Sequence, residues 1–293
     1  MKIALCLSGY FDSLKDSSSR GMDGFEYIKK HILSHGSEDC EIDVFFHNWE
    51  PHLEEKLVDL YKPRKHIIEP QIDFVPIAQE HEVSREDIDP YNFLGNWTMT
   101  STSGTGYVGP ERLLSQYYSL SQSLVLKREY EKEQGFKYDC VIKARFDLGR
   151  INRATSGPGK QNPFPCQCIN FDPTLDMNYL YQADWDLFNE GPADMWFYSN
   201  SKNMDIFCSL YEKVLLDYLQ LRSEYRETVT SGWPESKMND FRSNEKTKPP
   251  EERSKNLHKY PYYLAVNGIL LMKWFLIKNE LWDSAIALQT EWE

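Results

Sequence analysis

The sequence has no apolar run approaching the roughly 20 residues that cross a bilayer, so no membrane-spanning helix is expected. Its opening, MKIALCLSGYFD, holds an apolar stretch too short for a secretory signal, with no cleavage pattern behind it. Positive charge is scarce: 33 Lys and Arg face 45 Asp and Glu, for a formal charge of −12. No basic stripe is present, which sets nucleic-acid binding aside. Several chemical signatures are missing as well. Cys166-Gln-Cys168 is not a zinc spacing and reads as a loop. His31 and His35 are four residues apart, but Ile32 stands where a zinc-protease helix needs Glu. There is no Gly-Lys-Ser/Thr phosphate loop and no Gly-x-Ser-x-Gly elbow. Gly104-Thr-Gly106-Tyr-Val-Gly109 spells the dinucleotide fingerprint, yet the Thr/Ser/Met run before it makes a poor buried strand. These absences, with six irregularly spaced cysteines expected to be reduced, describe a soluble, cytoplasmic protein. Without secretion, the Asn96-Trp-Thr98 sequon carries no weight.

What is present is an α/β pattern. Ile3 to Leu7 reads as a buried strand stopped by Ser8-Gly9, residues 24–35 as a helix, and Ile42 to Phe46 as a second buried strand. A helix is expected over 51–61 and a third strand at Ile67-Ile68. Residues 76–109 lack a clear period and read as one long loop. Pro110 opens the best helix, 111–134, which Gly135 ends. Tyr138 to Phe146 is a further buried strand. Beyond a Gly/Pro/Asn loop at 153–168, residues 194–198 read as a strand and 201–220 as a helix. A charged stretch at 231–256 and an amphipathic helix from Tyr262 to Leu281 complete the chain. Strands alternating with helices imply a single domain with a twisted, mostly parallel central sheet flanked by helices. Residues 1–148 would form its ligand-binding half and 149–293 a second half.

Ligands of such sheets bind beyond the carboxyl ends of the strands. The candidate segments are therefore Ser8-Gly9-Tyr10, His47-Asn48-Trp49 and Arg145-Phe146-Asp147. A carboxylate at Asp147 can hold Mg²⁺ or Mn²⁺ against a pyrophosphate, and a guanidinium at Arg145 can grip phosphate oxygens with two donors. A salt bridge closing the strand is the plainer alternative. Gly9 allows close approach of a ligand to backbone N–H groups, or serves only as a strand-ending turn. Ser115, Tyr118 and Ser119 share a stretch of the long helix and either face a ligand or form ordinary helix surface. A chain with 18 Tyr and 8 Trp has rings for sugars to pack on, though most of these rings fill the core edge. A literal Asp-x-Asp occurs at Asp184-Trp-Asp186, behind a weaker strand pattern. Asp87-Ile-Asp89 reads as a solvated turn, and His258 is a minor metal or phosphate candidate.

The stretch SQYYSLSQSLVLKREYEKEQGFKYDCVIKARFDL resembles GT-A-like glycosyltransferases of large DNA viruses, phages and bacterial polysaccharide clusters. ALCLSG and DVFFHNW before it, and DMWFYSNSKNMDIFCSLY after it, occur in the order seen there. The resemblance implies transfer of a sugar from a nucleotide-sugar donor, UDP-linked sugars favoured, to a glycan or other hydroxyl acceptor. It implies donor binding by residues 1–148, an acceptor pocket from 149–293, and a host-cytoplasm location for a viral protein. Ser8, Gly9, Tyr10, His47, Asn48, Trp49, Ser115, Tyr118, Ser119, Arg145 and Asp147 become donor-binding candidates. Asp147 becomes the ligand of Mn²⁺ or Mg²⁺, and Asp194 the base that takes the acceptor proton. The sequence departs from the family's Asp-x-Asp: Arg145 stands where the first Asp would be, which leaves metal-independent chemistry open. Two alternatives remain: a non-catalytic nucleotide-sugar or glycan-binding protein, and a sugar nucleotidyltransferase. The latter needs a Gly-rich loop after the first strand, where only Ser8-Gly9 occurs.

Overall fold

A computed structural model describes residues 1–12, 20–37, 40–88, 109–149, 165–184, 191–230 and 266–289. Asp89, Asn96, Thr98, Gly104, Gly106, Asp186, His258 and the loops expected at 153–164 and 231–256 lie outside the described residues. Contacts divide the chain into two compact units. One combines Met1–Ile72, Gln116–Leu210 and Phe275–Glu293; the other combines Asp73–Ser115 and Tyr211–Trp274.

The first unit holds a seven-stranded mixed sheet of order β3-β2-β1-β4-β6-β5-β7. The strands are β1 (Lys2–Gly9), β2 (Glu41–Asn48), β3 (Lys65–Ile68), β4 (Cys140–Arg145), β5 (Leu180–Ala183), β6 (Trp196–Ser199) and β7 (Ala285–Leu288). β3, β2, β1 and β4 run parallel, β6 runs antiparallel between β4 and β5, and β7 lies parallel to β5. β1 is buried on both faces, which is why it reads as a continuous apolar run and not as an alternating one. Ile3, Leu5 and Leu7 enter a core with Val44 and Phe46 of β2 and Ile142 and Ala144 of β4. The helices in chain order are α1 (Arg20–His31), α2 (Glu54–Tyr61), α3 (Phe74–Glu80), α4 (Arg85–Ile88), α5 (Pro110–Gln134), α6 (Ser201–Asp205), α7 (Leu210–Lys213), α8 (Glu224–Thr230) and α9 (Gly268–Lys278). Among the described residues no helix is long and apolar enough to cross a membrane.

Three expectations change. The loop at 76–109 contains the last residues of α3 and all of α4, capped by Asp73, which accepts from Val75 N at 3.0 Å, and by Asp87, which accepts from Ser84 N at 3.0 Å. The helix at 201–220 is four pieces: α6, a 3₁₀ turn at Ile206–Ser209, α7 and a π turn at Val214–Tyr218. Its buried positions explain the break. Met204, Phe207 and Leu210 recur every third residue, which suits 3₁₀ winding, whereas Leu210, Val214 and Tyr218 recur every fourth. The sheet also contains β5 and β7, which the sequence pattern does not announce.

α5 carries a buried charge cluster at its C-terminal end. Lys127 Nζ donates to Asp205 at 2.5 Å, Ser201 at 2.8 Å and Glu131 at 3.3 Å, while Glu131 also accepts from Lys137 and from Tyr138 N. Lys127 and Glu131 are fully buried, so the cluster is stable only because each partner is satisfied. It fixes α5, α6 and the entry to β4 to one another.

Candidate functional site

Strand order reverses between β1 and β4: from β1 the chain builds outward through β2 and β3, then returns to place β4 on the other side. Such a switch point, at the carboxyl ends of parallel strands, is where α/β sheets bind ligands. The register puts Ser8 beside His47 on one side and beside Arg145 on the other. Their side chains therefore share one face of the sheet and one row at its carboxyl edge. Gly9 follows at φ +99°, and no atom lies within 4 Å of where its Cβ would be. Ser8 is nearly buried, and its hydroxyl has no hydrogen bond among the described residues.

The β2 end is a brace. His47 Nδ1 lies 2.8 Å from Ser119 Oγ on α5, and Nε2 lies 2.9 Å from Glu69 Oε1. Glu69 can only accept, so Nε2 carries the ring proton, and Nδ1 of the neutral ring accepts from Ser119 Oγ, which itself accepts from Gly9 N at 2.8 Å. Burial lowers the His47 pKa, with Glu69 pulling against it. The neutral ring is thus held by both nitrogens, and the Gly9 N–H expected to meet a ligand is already used. A Ser–His–Glu chain suggests acyl transfer, but Ser119 is fully buried, so no substrate reaches its oxygen. Asn48 donates to Gly9 O at 3.0 Å and accepts from Glu50 N at 2.8 Å. The buried Glu50 carboxylate takes Phe11 N at 2.5 Å and Asp12 N at 3.1 Å, fixing the turn after β1. Trp49 stacks on Tyr118 at 5.6 Å, and Tyr10 Oη donates to Gln71 at 2.8 Å. Ser115 is half-buried on α5, four residues before Ser119, and is counted with the other compact unit.

The β4 end carries the charge. Arg145 Nε and one Nη2–H each donate to an oxygen of Asp147, both at 2.8 Å. That fork uses one side of the guanidinium. The remaining three N–H bonds have no partner among the described residues, and 37% of the side chain is exposed. Asp147 raises the Arg145 pKa further, and Asp194 adds to this. β6 runs antiparallel, so Asp194, two residues before it, comes to the same edge. Gln116 Nε2 of α5 donates to Asp194 Oδ2, and Lys143 Nζ donates to the Asp194 carbonyl. Lys143 is buried one row below Arg145 on the same face, where desolvation pushes its pKa down to about 8 against the pull of Asp194. The Cys166 thiol lies near enough to feel both Asp194 and Arg145. Asp184 directly follows β5 and is exposed at the same edge of the sheet.

The charged partners of these candidates were not singled out from sequence. Lys143 had a signal: a lysine inside the apolar run Cys140–Ala144 must be buried or bent away. Glu50 stood next to a candidate, Trp49. Gln116, Glu69 and Cys166 had none, because only the fold brings them in.

Among the described residues, no three His, Cys, Asp or Glu side chains are grouped to hold an ion. Mg²⁺ needs a near-octahedral oxygen shell. Asp147 offers one carboxylate, and both of its oxygens already sit on Arg145. In this arrangement Asp147 is turned to Arg145 and not presented alone to the expected Mn²⁺ or Mg²⁺. Comparison of the chain with known protein families, curated proteins and solved structures gave no match.

Proposed function

We propose that the protein is a glycosyltransferase that moves a sugar from a nucleotide-sugar donor, UDP-linked sugars favoured, to a hydroxyl acceptor. One observation carries the reading: Ser8 and Arg145 are register partners at the switch point of a parallel sheet, beside a glycine with open space over it. An oriented guanidinium end and a hydroxyl there suit the pyrophosphate of a donor. The mixed seven-stranded sheet is compatible with a GT-A-like fold. In the reaction, the acceptor oxygen bonds to the anomeric carbon as the bond from that carbon to the phosphate oxygen breaks. The electron pair leaves on the nucleoside diphosphate, where Arg145 stabilises the developing charge. The acceptor proton passes to Asp194, whose Oδ2 is held by Gln116 while Oδ1 is left to work as base. His47, Asn48 and Glu50 position the turn that frames the donor.

A thermal-shift series against UDP-, GDP-, CMP- and dTDP-sugars, followed by assays of donor hydrolysis, tests this. A ligand at ~100 times its dissociation constant adds about 2.7 kcal/mol to folded stability, so a clear rise in Tm is expected with a UDP-sugar. If no nucleotide or nucleotide sugar moves Tm, the reading is wrong. A second reading, a donor-binding protein without transfer, draws support from the fact that Asp147 and Asp194 are both engaged by neighbours. Binding without hydrolysis or transfer to any acceptor would favour it.

A further inference from the structure

We propose that this site takes the donor's diphosphate without a divalent cation: Arg145 and the buried Lys143 supply the positive charge, and Asp147 serves to orient the arginine. The inference rests on the nucleotide-sugar reading and specifies how its anion is held.

The argument starts from the Asp147 carboxylate. Both oxygens accept from one guanidinium in a planar fork, so an arriving cation would find only the lone pairs turned away from Arg145 and would compete with the guanidinium for the same negative charge. It would then sit against Arg145 and close to Lys143, whose ammonium is electrostatically coupled to both Arg145 and Asp147. With Asp194 counted, two positive groups balance two carboxylates, so no surplus of negative charge draws a divalent ion in.

The same geometry favours an anion. Asp147 occupies the Nε side of Arg145, which leaves the Nη1 end, two N–H bonds and one further N–H on Nη2, pointing away from the carboxylate. That end matches a phosphate with two parallel donors. Ser8 Oγ stands at the adjacent register position. The charges of Lys143, Arg145, Asp147 and Asp194 sum to zero, so the pull on the ligand comes from orientation. Asp147 backs the guanidinium, and Lys143 grips the Asp194 main chain.

Calorimetric titration of the full chain with UDP, and separately with inorganic pyrophosphate, tests the proposal in EDTA and again in Mn²⁺. Equal affinity for UDP in both buffers, within about twofold, is expected. Arg145→Gln should weaken UDP and pyrophosphate alike by about tenfold or more, the loss that goes with one charge-assisted contact. Lys143→Met should also weaken both, while Asp147→Asn should weaken them less than Arg145→Gln and create no need for metal. Circular dichroism checks that each variant is folded; Arg145→Gln, on a part-exposed side chain, keeps the test alive should Lys143→Met fail to fold. UDP binding that appears only with Mn²⁺ overturns the inference and leaves the transferase reading standing. So does UDP binding by Arg145→Gln at wild-type strength. If neither probe binds in either buffer, the nucleotide-sugar reading falls and the inference falls with it.

Discussion

Single residues at this edge act through the atoms they hold in place. Glu50 is buried, and its carboxylate takes the N–H groups of Phe11 and Asp12. Glu50→Gln removes the charge from these hydrogen bonds, and about 1.5–3 kcal/mol of stability should go with it. Urea unfolding would read that loss, and a parallel drop in UDP affinity would show that the turn frames the site. A variant as stable as the wild type would mean that the contacts are incidental. His47 gives a pH test. Burial holds its pKa below the ordinary value, while the unfolded chain titrates near ~6.5. As pH falls through that value, the unfolded state binds a proton that the folded state refuses. Stability is therefore lost below about pH 6.5 until the folded pKa is passed, with a slope of at most about 1.4 kcal/mol per pH unit. His47→Gln lacks this group, so the wild type's lead over the variant should shrink between pH 7 and pH 5. A constant difference in urea unfolding would show that His47 does not titrate differently in the two states.

At the scale of elements, α1 presses on the loops that carry the site. Gly24 faces the loop after β4 so closely that an added Cβ would lie 2.1 Å from Phe146 O and 3.5 Å from Asp147 Cα. Gly21 does the same to the ring of Phe11, 2.2 Å away. Gly24→Ala must push α1 or the β4 loop outward, at a cost of about 1–3 kcal/mol. UDP affinity should fall with stability, because Asp147 and Arg145 move together. Unchanged affinity in a destabilised Gly24→Ala would place the ligand elsewhere. Elements with a strong pattern were legible from sequence: β1, β2 and α5 announced themselves through apolar runs, Pro110 and Gly135. β5 and β7 did not, because four residues containing Gln182 or two alanines look the same in a loop. α3 and α4 carried capping signals at Asp73 and Ser84-x-x-Asp87, which their short length obscured. Of the site, the strand-end segments were readable because topology alone names them. The fork between Arg145 and Asp147 is the strand-closing salt bridge that the sequence offered as the plainer alternative, whereas the Ser119–His47–Glu69 relay and the arrival of Asp194 depend on register across the sheet, which no local pattern encodes.

The compact units of the whole molecule are not continuous in sequence. The sheet unit gathers three separate stretches of chain, and β4 pairs with β6 from beyond residue 148. A fragment covering 1–148 would leave the β4 edge and the apolar faces of Ile142 and Ala144 without Trp196 and Tyr198. Unpaired edges of this kind aggregate. Expressed alone, the fragment should be insoluble or lack the near-ultraviolet signal of packed aromatic rings, and it should not bind UDP. A fragment that is monomeric, cooperatively folded and able to bind UDP would restore the simple two-half division.

The pairing of β5 with β7 sets a timetable. β5 hydrogen-bonds to a strand made only after residues 184–284 have been synthesised. On the ribosome β1 can find β2 once residues 10–40, which include α1, have been added, while the far edge of β5 stays open until Ala285–Leu288 has emerged. Long-range closures of this kind are slow and expose apolar surface meanwhile. Chaperone demand should therefore persist until β7 emerges, and stalling the ribosome before residue 285 should leave a nascent chain that protease still cuts near β5.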